Sequence, residues 1–372
     1  MTRLTVYGRD ETGYHLPDYT RLLPWQDHPQ RVRLARESRA WVARFPESHT
    51  WAADYRRKPP AEALAEWMDD GFDRFSCLSV PQADTARMRI ICDLNQWYGM
   101  LDDIAAAGGR FRDTTETMRR AAFERTMSIL YTQGEPHGGT STQPTDTDRM
   151  CLGRLLADSW HRWCVTCPPA LLDRCRAGIS QVLQSWITET EIRIRGQILD
   201  FPTYLAFRRT AVAASSLPRF VEYGLNIDIG SELAAHPELK QLEELQCTYL
   251  VLLNDLYSFR KEYVRSKDPV NAIAVLTSTG HTLQQAVNYL CQLMQETERE
   301  FVTLRKSYLH TRPGLRSEVP AFLTGLGLLM SGTLQYHRMS PRYHGTGRPW
   351  TDIGSGYVTL DSNTTVITRA TP

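Results

Sequence analysis

Nine residues in the second half of the chain combine the oxygen types that a hard metal ion needs: Asn254-Asp255-Leu256-Tyr257-Ser258-Phe259-Arg260-Lys261-Glu262. Asn254, Ser258 and Glu262 are spaced i, i+4, i+8. On a helix each step of four drifts by only about 40°, so an amide, a hydroxyl and a carboxylate oxygen project from one face. One ion could touch all three. With a single carboxylate, the set leaves Mg²⁺ coordination positions free for water and phosphate oxygens. Lys261, beside the last ligand, adds a cation for the same phosphate. An ordinary polar helix face is the plain alternative, but it leaves this combination of residue types unexplained.

Ligands on one face require long helices, and apolar residues recur at helical spacing through 32–45, 61–68, 85–107, 115–130, 149–164, 170–196, 204–224, 238–264, 282–308 and 319–336. No series of alternating strands is visible. The links carry breakers such as Gly108-Gly109, Pro168-Pro169, Phe201-Pro202 and Pro269. The expected architecture is an all-α, single-domain helical bundle around a central cavity, spanning residues 31–350. An irregular segment over 1–30, a polar insertion at 133–148 and a Thr/Ser-rich tail at 351–372 flank or interrupt it.

The charge balance, 43 Lys+Arg against 42 Asp+Glu, gives no reason to expect nucleic acid or an anionic membrane as partner. A small molecule fits better. The first residues lack the apolar core of a signal peptide and no apolar stretch reaches a membrane span, so a cytoplasmic location is expected. Asn363-Thr-Thr is formally a glycosylation acceptor, but it has little weight without a secretory signal. Eight scattered cysteines do not form a disulfide framework. Cys164-Val-Thr-Cys167, with Cys151, His161 and Cys175 nearby, could be read as a zinc site, although no second CxxC exists and two thiols at a helix end are the simpler reading.

Asn254-Asp-x-x-Ser258-x-x-Lys261-Glu262 resembles the second metal-binding motif of class I terpene cyclases. Five specified positions match by chance at any one site with a frequency on the order of 10⁻⁶. The resemblance implies Asn254, Ser258 and Glu262 as Mg²⁺ ligands, and Asn271-Ala-Ile-Ala-Val is similar to the apolar segment that often follows. The family places an acidic motif on a facing helix, which puts Asp102 of Trp97-Tyr-Gly-Met-Leu-Asp102-Asp103 as the first candidate ligand there. The usual later acid is missing, because Ala106 and Ala107 stand in its place, and this leaves the role of Asp103 open.

Similar cyclases carry a diphosphate-sensing arginine upstream of the second motif, at the spacing that Arg208 keeps here, 46 positions before Asn254. Its neighbour Arg209 points about 100° away on a helix and is expected to be structural. Tyr336-x-x-x-Ser340-x-Arg342-Tyr343 resembles the family's Trp-x-x-x-Ser/Thr-x-Arg-Tyr segment, so Arg342 and Tyr343 would clasp diphosphate. The matches run in family order, with 254 − 102 = 152 residues between Asp102 and Asn254, an interval that the insertion at 133–148 lengthens.

What the resemblance implies is ionisation and cyclisation of an isoprenyl diphosphate, with farnesyl diphosphate and a sesquiterpene hydrocarbon or alcohol as the first expectation. Three Mg²⁺ ions take part in the family: Asp102 would hold one or two, and the Asn254/Ser258/Glu262 set another. Arg208, Lys261, Arg342 and Tyr343 would bind the diphosphate. Phe72, Phe75, Trp97, Tyr98 and Tyr336 are candidates for the cavity wall, each equally able to be plain core. The family also allows a homodimer, which no residue pattern here decides. A chain-building prenyltransferase normally has two Asp-rich motifs, which the sequence opposes. A helical diphosphate-binding protein without turnover, or a scaffold with coincidental motifs, are the readings from other classes.

Overall fold

The computed structural model describes residues 12–105, 115–132, 146–266, 268–345, 350–360 and 367–368. Ala106, Ala107, most of the 133–148 insertion and the Asn363 sequon lie outside them. In chain order the helices are α1 (Arg31–Val42), α2 (Pro46–Arg56), α3 (Pro60–Met68), α4 (Phe72–Ser79), α5 (Thr85–Ala105), α6 (Glu116–Tyr131), α7 (Asp146–Cys151), α8 (Gly153–Thr166) and α9 (Pro169–Arg195). They continue as α10 (Phe201–Ala211), α11 (Leu217–Leu225), α12 (Gly230–Ala235), α13 (Pro237–Ser266), α14 (Ala272–Ser278), α15 (Leu283–Thr311), α16 (Glu318–Met339) and α17 (Pro341–His344).

Local chemistry sets the helix ends. Asp200 accepts from the Thr203 amide and Pro202 follows at the start of α10, where its missing N–H costs nothing. Thr282 and Gln285 close a capping box at α15. Two long periodic stretches prove to be paired helices. Within 149–164 the chain breaks at Leu152, which takes a left-handed φ of 51°. Within 204–224 it breaks at Ala213, φ 63°, before Pro218 restarts the helix as α11. Apolar periodicity continues across both breaks because both halves face the core, which is why spacing alone reads one helix.

The segments expected to be irregular also differ from that reading. Gly13–Leu16 (β1), Gly356–Thr359 (β2) and Ile367–Thr368 (β3) form a small antiparallel sheet in the order β1-β2-β3, with Gly13 opposite Thr359 and Tyr357 opposite Thr368. Strands of four residues or fewer, paired across most of the chain, carry almost no periodic signal. The sheet is fastened to the helices where Arg260 Nε on α13 donates to the Thr359 carbonyl at 2.8 Å. Tyr14 also meets Phe259 edge to face at 6.0 Å.

The core runs through the middle of the bundle, with Trp67, Trp97, Trp160 and Trp163 fully enclosed. Trp97, expected as a possible cavity wall, instead faces α7: its Nε1 donates to the Cys151 carbonyl at 2.9 Å. Helix α16 crosses α4 so closely at Gly332 that an added Cβ would overlap the Leu78 carbonyl oxygen. Gly332→Ala is therefore expected to destabilise the fold by about 1–3 kcal/mol, measured by chemical denaturation, since the two backbones must part. Among the described residues no helix is long and apolar enough to cross a membrane. Nor do three His, Cys, Asp or Glu side chains there form a metal cluster, so the cysteines near Cys164 gain no support as a zinc site.

Candidate active site

Asp102, Arg208, Asn254, Lys261, Glu262, Arg342 and Tyr343 line one cavity at the centre of the bundle. The end of α5 supplies the first, α10 the second, α13 the next three and α17 the last two. Ser258 stands behind this lining, 1% exposed, and its Oγ is buried without a hydrogen-bond partner. A buried orphan hydroxyl costs about 1–3 kcal/mol. It sits one helical turn from both Asn254 and Glu262, so the unmet oxygen falls where the amide–hydroxyl–carboxylate set needs it. That donor set fits a hard divalent ion.

The flanking network holds these side chains in place. Asn271 uses its Oδ1 to cap α14 by accepting from the Ile273 amide, while its Nδ2 donates to Glu262 Oε2 and to the Asp255 carbonyl, each at 2.9 Å. This explains why an asparagine follows the motif: it fixes the carboxylate of Glu262 through a turn. Asp255, between the ligands in sequence, points the other way. Tyr204 Oη, the Ala272 amide and Arg208 Nε all donate to it, and burial pushes its carboxyl up to about 6 despite the Arg208 charge.

Arg208 is buried, as a fixed phosphate sensor would be, and donates to Glu189 Oε1 at 2.7 Å, Asp255 Oδ1 at 3.3 Å and Asn254 Oδ1 at 3.3 Å. Arg209 turns away to Thr248 Oγ1 at 2.9 Å, as its position on the helix requires. On the far side of Asn254 stands His337. Its Nδ1 faces the Thr333 carbonyl at 2.8 Å, which assigns the ring proton to Nδ1 and leaves Nε2 to accept from Asn254 Nδ2 at 3.4 Å. Burial lowers the His337 pKa to about 3, so the ring stays neutral and keeps that lone pair. Arg208 and His337 together fix which way the Asn254 amide points.

The two acids at the end of α5 have separate surroundings. Asp103 is 1% exposed and makes a two-point ion pair with Arg342, at 2.9 and 2.8 Å, while Trp67 Nε1 donates to it at 3.1 Å. Its role, left open by the sequence, is to clamp Arg342. Asp102 keeps 44% of its side chain accessible because it faces the cavity, and Arg342 is 3.5 Å from it. Although accessible, it is enclosed within the cavity, and that desolvation, then the Asp103 charge, raise its carboxyl. Lys261 is depressed, chiefly by burial and then by Arg342, with the nearby carboxylates opposing. The cavity lining thus sets Asp102, Asp103, Glu262 and Asp268 against Arg193, Arg208, Lys261 and Arg342.

Phe72, Phe75, Tyr98 and Tyr336 line the cavity as expected, joined by Trp186. Phe75 and Tyr336 meet edge to face at 5.2 Å, and the Arg342 guanidinium lies 5.0 Å from the centre of the Phe72 ring. Tyr336 Oη and Ser340 Oγ both donate to the Asp70 carbonyl, at 2.9 and 2.7 Å. Asp70 Oδ2 in turn accepts from Arg56 at 2.9 Å and Arg342 at 3.3 Å. Sequence reasoning passed over Asp70, Glu189, Arg193, Asp268 and His337. Glu189 and Arg193 gave one usable signal, a carboxylate and a guanidinium four apart on an otherwise apolar helix face, and Arg193 bridges Glu189 to Asp268.

An aromatic cavity lined by Asp102, Asn254 and Glu262 inside a helical bundle is the arrangement of a class I terpenoid synthase. Residues 93–300 match the model of terpene synthase family 2, C-terminal metal binding, and the chain belongs to that family. It is 24% identical over 310 residues to microbial terpene synthase-like protein 13 of Selaginella moellendorffii, covering 80% of this chain and 81% of that one. It is 26% identical over 265 residues to sesquiterpene synthase 1 of Postia placenta, covering 71% and 73%. Among solved structures, the linalool/nerolidol synthase of Streptomyces clavuligerus in complex with 2-fluorogeranyl diphosphate superposes with a TM-score of 0.68 at 18% identity. That alignment covers 87% of this chain and 99% of that one. The SVS_A2 protein from ancestral sequence reconstruction reaches 0.69 at 19% identity, covering 87% and 89%.

Proposed function

We propose that this enzyme ionises farnesyl diphosphate with the help of Mg²⁺ and cyclises the cation to a sesquiterpene, releasing inorganic diphosphate. The observation that carries the reading is that Asn254 and Glu262 line one aromatic cavity with Asp102, with the unpartnered Ser258 hydroxyl on the helix between them. Asn254, Ser258 and Glu262 would hold one ion and Asp102 one or two more, three being the family's number. Bound divalent ions supply positive charge to the leaving diphosphate.

The protein's own residues do the rest. Arg208, Lys261, Arg342 and Tyr343 present N–H and O–H donors to the phosphate oxygens, and the cations among them stabilise negative charge that grows as the C–O bond breaks. Phe72, Phe75, Tyr98, Trp186 and Tyr336 offer ring faces to the hydrocarbon cation and keep bulk water away from it. The curated relative from Postia placenta is named a sesquiterpene synthase, which supports the fifteen-carbon substrate.

The missing later acid favours a second reading, a diphosphate-binding protein without turnover. Incubating the purified protein with geranyl, farnesyl and geranylgeranyl diphosphate and Mg²⁺, then analysing extracted products by mass, separates the two. Cyclic fifteen-carbon products from farnesyl diphosphate are expected. Folded protein that yields none from any of the three substrates, yet is thermally stabilised by Mg²⁺ and diphosphate together, would leave only the binding role.

A further inference from the structure

The end of the cavity away from the acids is not wholly apolar. Asn95 lies on α5 seven residues before Asp102, about 10 Å deeper at the helical rise, where the hydrocarbon part of a bound isoprenoid must lie. It lines the cavity and is 4% exposed. A buried amide there is costly unless it is used or satisfied, and only half of it is satisfied. Asn95 Nδ2 donates to Ser76 Oγ at 2.8 Å, while the Ser76 hydroxyl donates its own proton to the Phe72 carbonyl at 3.0 Å.

Ser76 can therefore only accept from Asn95, which settles the amide's direction: Nδ2 faces Ser76 and Oδ1 is left to the cavity. Thr333, 3% exposed and one turn before His337 on α16, behaves alike. Its hydroxyl proton goes to the Leu329 carbonyl at 2.6 Å, so the cavity meets only Oγ1 lone pairs. Both groups are thus acceptors, locked by backbone carbonyls through their own or a neighbour's hydroxyl.

Acceptors cannot protonate an alkene, so neither group can restart the cation by donating a proton. What such groups hold well is water, by its hydrogens, with the oxygen lone pairs turned toward the substrate. We propose that Asn95 Oδ1, with Thr333 Oγ1 as second acceptor, holds one water as the nucleophile that ends the reaction, so that the main product is a cyclic sesquiterpene alcohol. In this step a water lone pair forms the new C–O bond to the final carbocation. The O–H bond then breaks, its proton passing to the acceptor that held it, Asn95 Oδ1, an amide oxygen being more basic than the oxonium, and from there to solvent as the product leaves. Asn95 is a specificity-determining residue on this account, and the inference rests on the cyclase reading above.

The test is turnover of farnesyl diphosphate with Mg²⁺ in H₂¹⁸O, measuring diphosphate release and the mass of each product in the same reaction. Wild-type enzyme is expected to give mainly alcohol carrying one ¹⁸O. In Asn95→Leu the ratio of labelled alcohol to olefin is expected to fall about tenfold, the size of change that loss of one hydrogen bond to a reacting group brings. Because a ratio is read, the total rate left in the variant does not matter. Ser76→Ala, which frees the amide to turn, is expected to lower the ratio in the same direction should Asn95→Leu fail to fold. Diphosphate release with unlabelled olefins alone, or an unchanged ratio in the variants, overturns this role for Asn95 while leaving the cyclase intact. No diphosphate release from the wild type overturns the cyclase reading and the water site with it.

Discussion

Ser258→Ala is expected to lower turnover of farnesyl diphosphate by about 10- to 100-fold while leaving the fold as stable as before, or firmer by up to about 1 kcal/mol. The two effects have opposite signs because one atom causes both. Ser258 Oγ is buried and bonds to nothing in the protein, so deleting it removes a desolvated polar group and a strain on the fold. On the proposed reading, the same deletion removes one of three oxygens that would hold a metal ion. A core serine without a metal to hold would share the stability result but leave turnover largely alone. Paired thermal melts and steady-state kinetics on the one variant read both. Equal activity in Ser258→Ala would remove the hydroxyl from the ligand set.

Asp103→Asn is expected to be among the most destabilising single changes near the site, by about 3–5 kcal/mol, because it leaves the charge of Arg342 buried and short of its main partner. Arg342 and Asp103 side chains are 4% and 1% exposed, and both guanidinium NH₂ groups are committed to the carboxylate. Asp70, at 3.3 Å from Arg342, offsets part of the loss and places the outcome toward the lower end of that range. Denaturant titration gives the value. A change within about 1 kcal/mol, accompanied by lost metal dependence, would make Asp103 a ligand rather than the clamp on Arg342.

These two expectations separate what was legible in the sequence from what was not. The face of α13 shared by Asn254, Ser258 and Glu262 was legible because its meaning is local: i, i+4, i+8 on a helix settles that three oxygens share a side, whatever surrounds them. Arg208, Arg342 and Tyr343 were reached through family spacing, and the bundle brings all of them to the cavity. The division of labour between Asp102 and Asp103 was not legible. Adjacent residues on a helix point about 100° apart, and which one meets Arg342 depends on where α17 docks, some 240 residues later. His337 was passed over for the same reason, since its side-chain partner Asn254 comes from another helix, α13.

The fold followed the same rule. Long amphipathic helices such as α9, α13 and α15 announce themselves by period, and their bounds agree with the expected ones within a few residues. Short elements do not: α2, α4, α12 and α14 have eleven residues or fewer and escaped notice, as did the three strands. Breaks inside a periodic stretch were also hidden. The turn at Ala213 matters most, because Val212, Ala213 and Leu217 line the cavity just beyond Arg208. There a helix break rather than a helix face supplies the wall, which no pattern of side-chain polarity reveals.

The central claim is that Asp102 and the Asn254/Ser258/Glu262 set form one metal-dependent site for breaking the C–O bond of an isoprenyl diphosphate. The most direct measurement is the rate of inorganic diphosphate release from farnesyl diphosphate by the purified protein with Mg²⁺, with and without chelator, beside Asn254→Ala. Release that chelator abolishes, that returns when Mg²⁺ is restored, and that drops by at least about 100-fold in the variant is the predicted result. Release that is indifferent to chelator, or equal in Asn254→Ala, would contradict it.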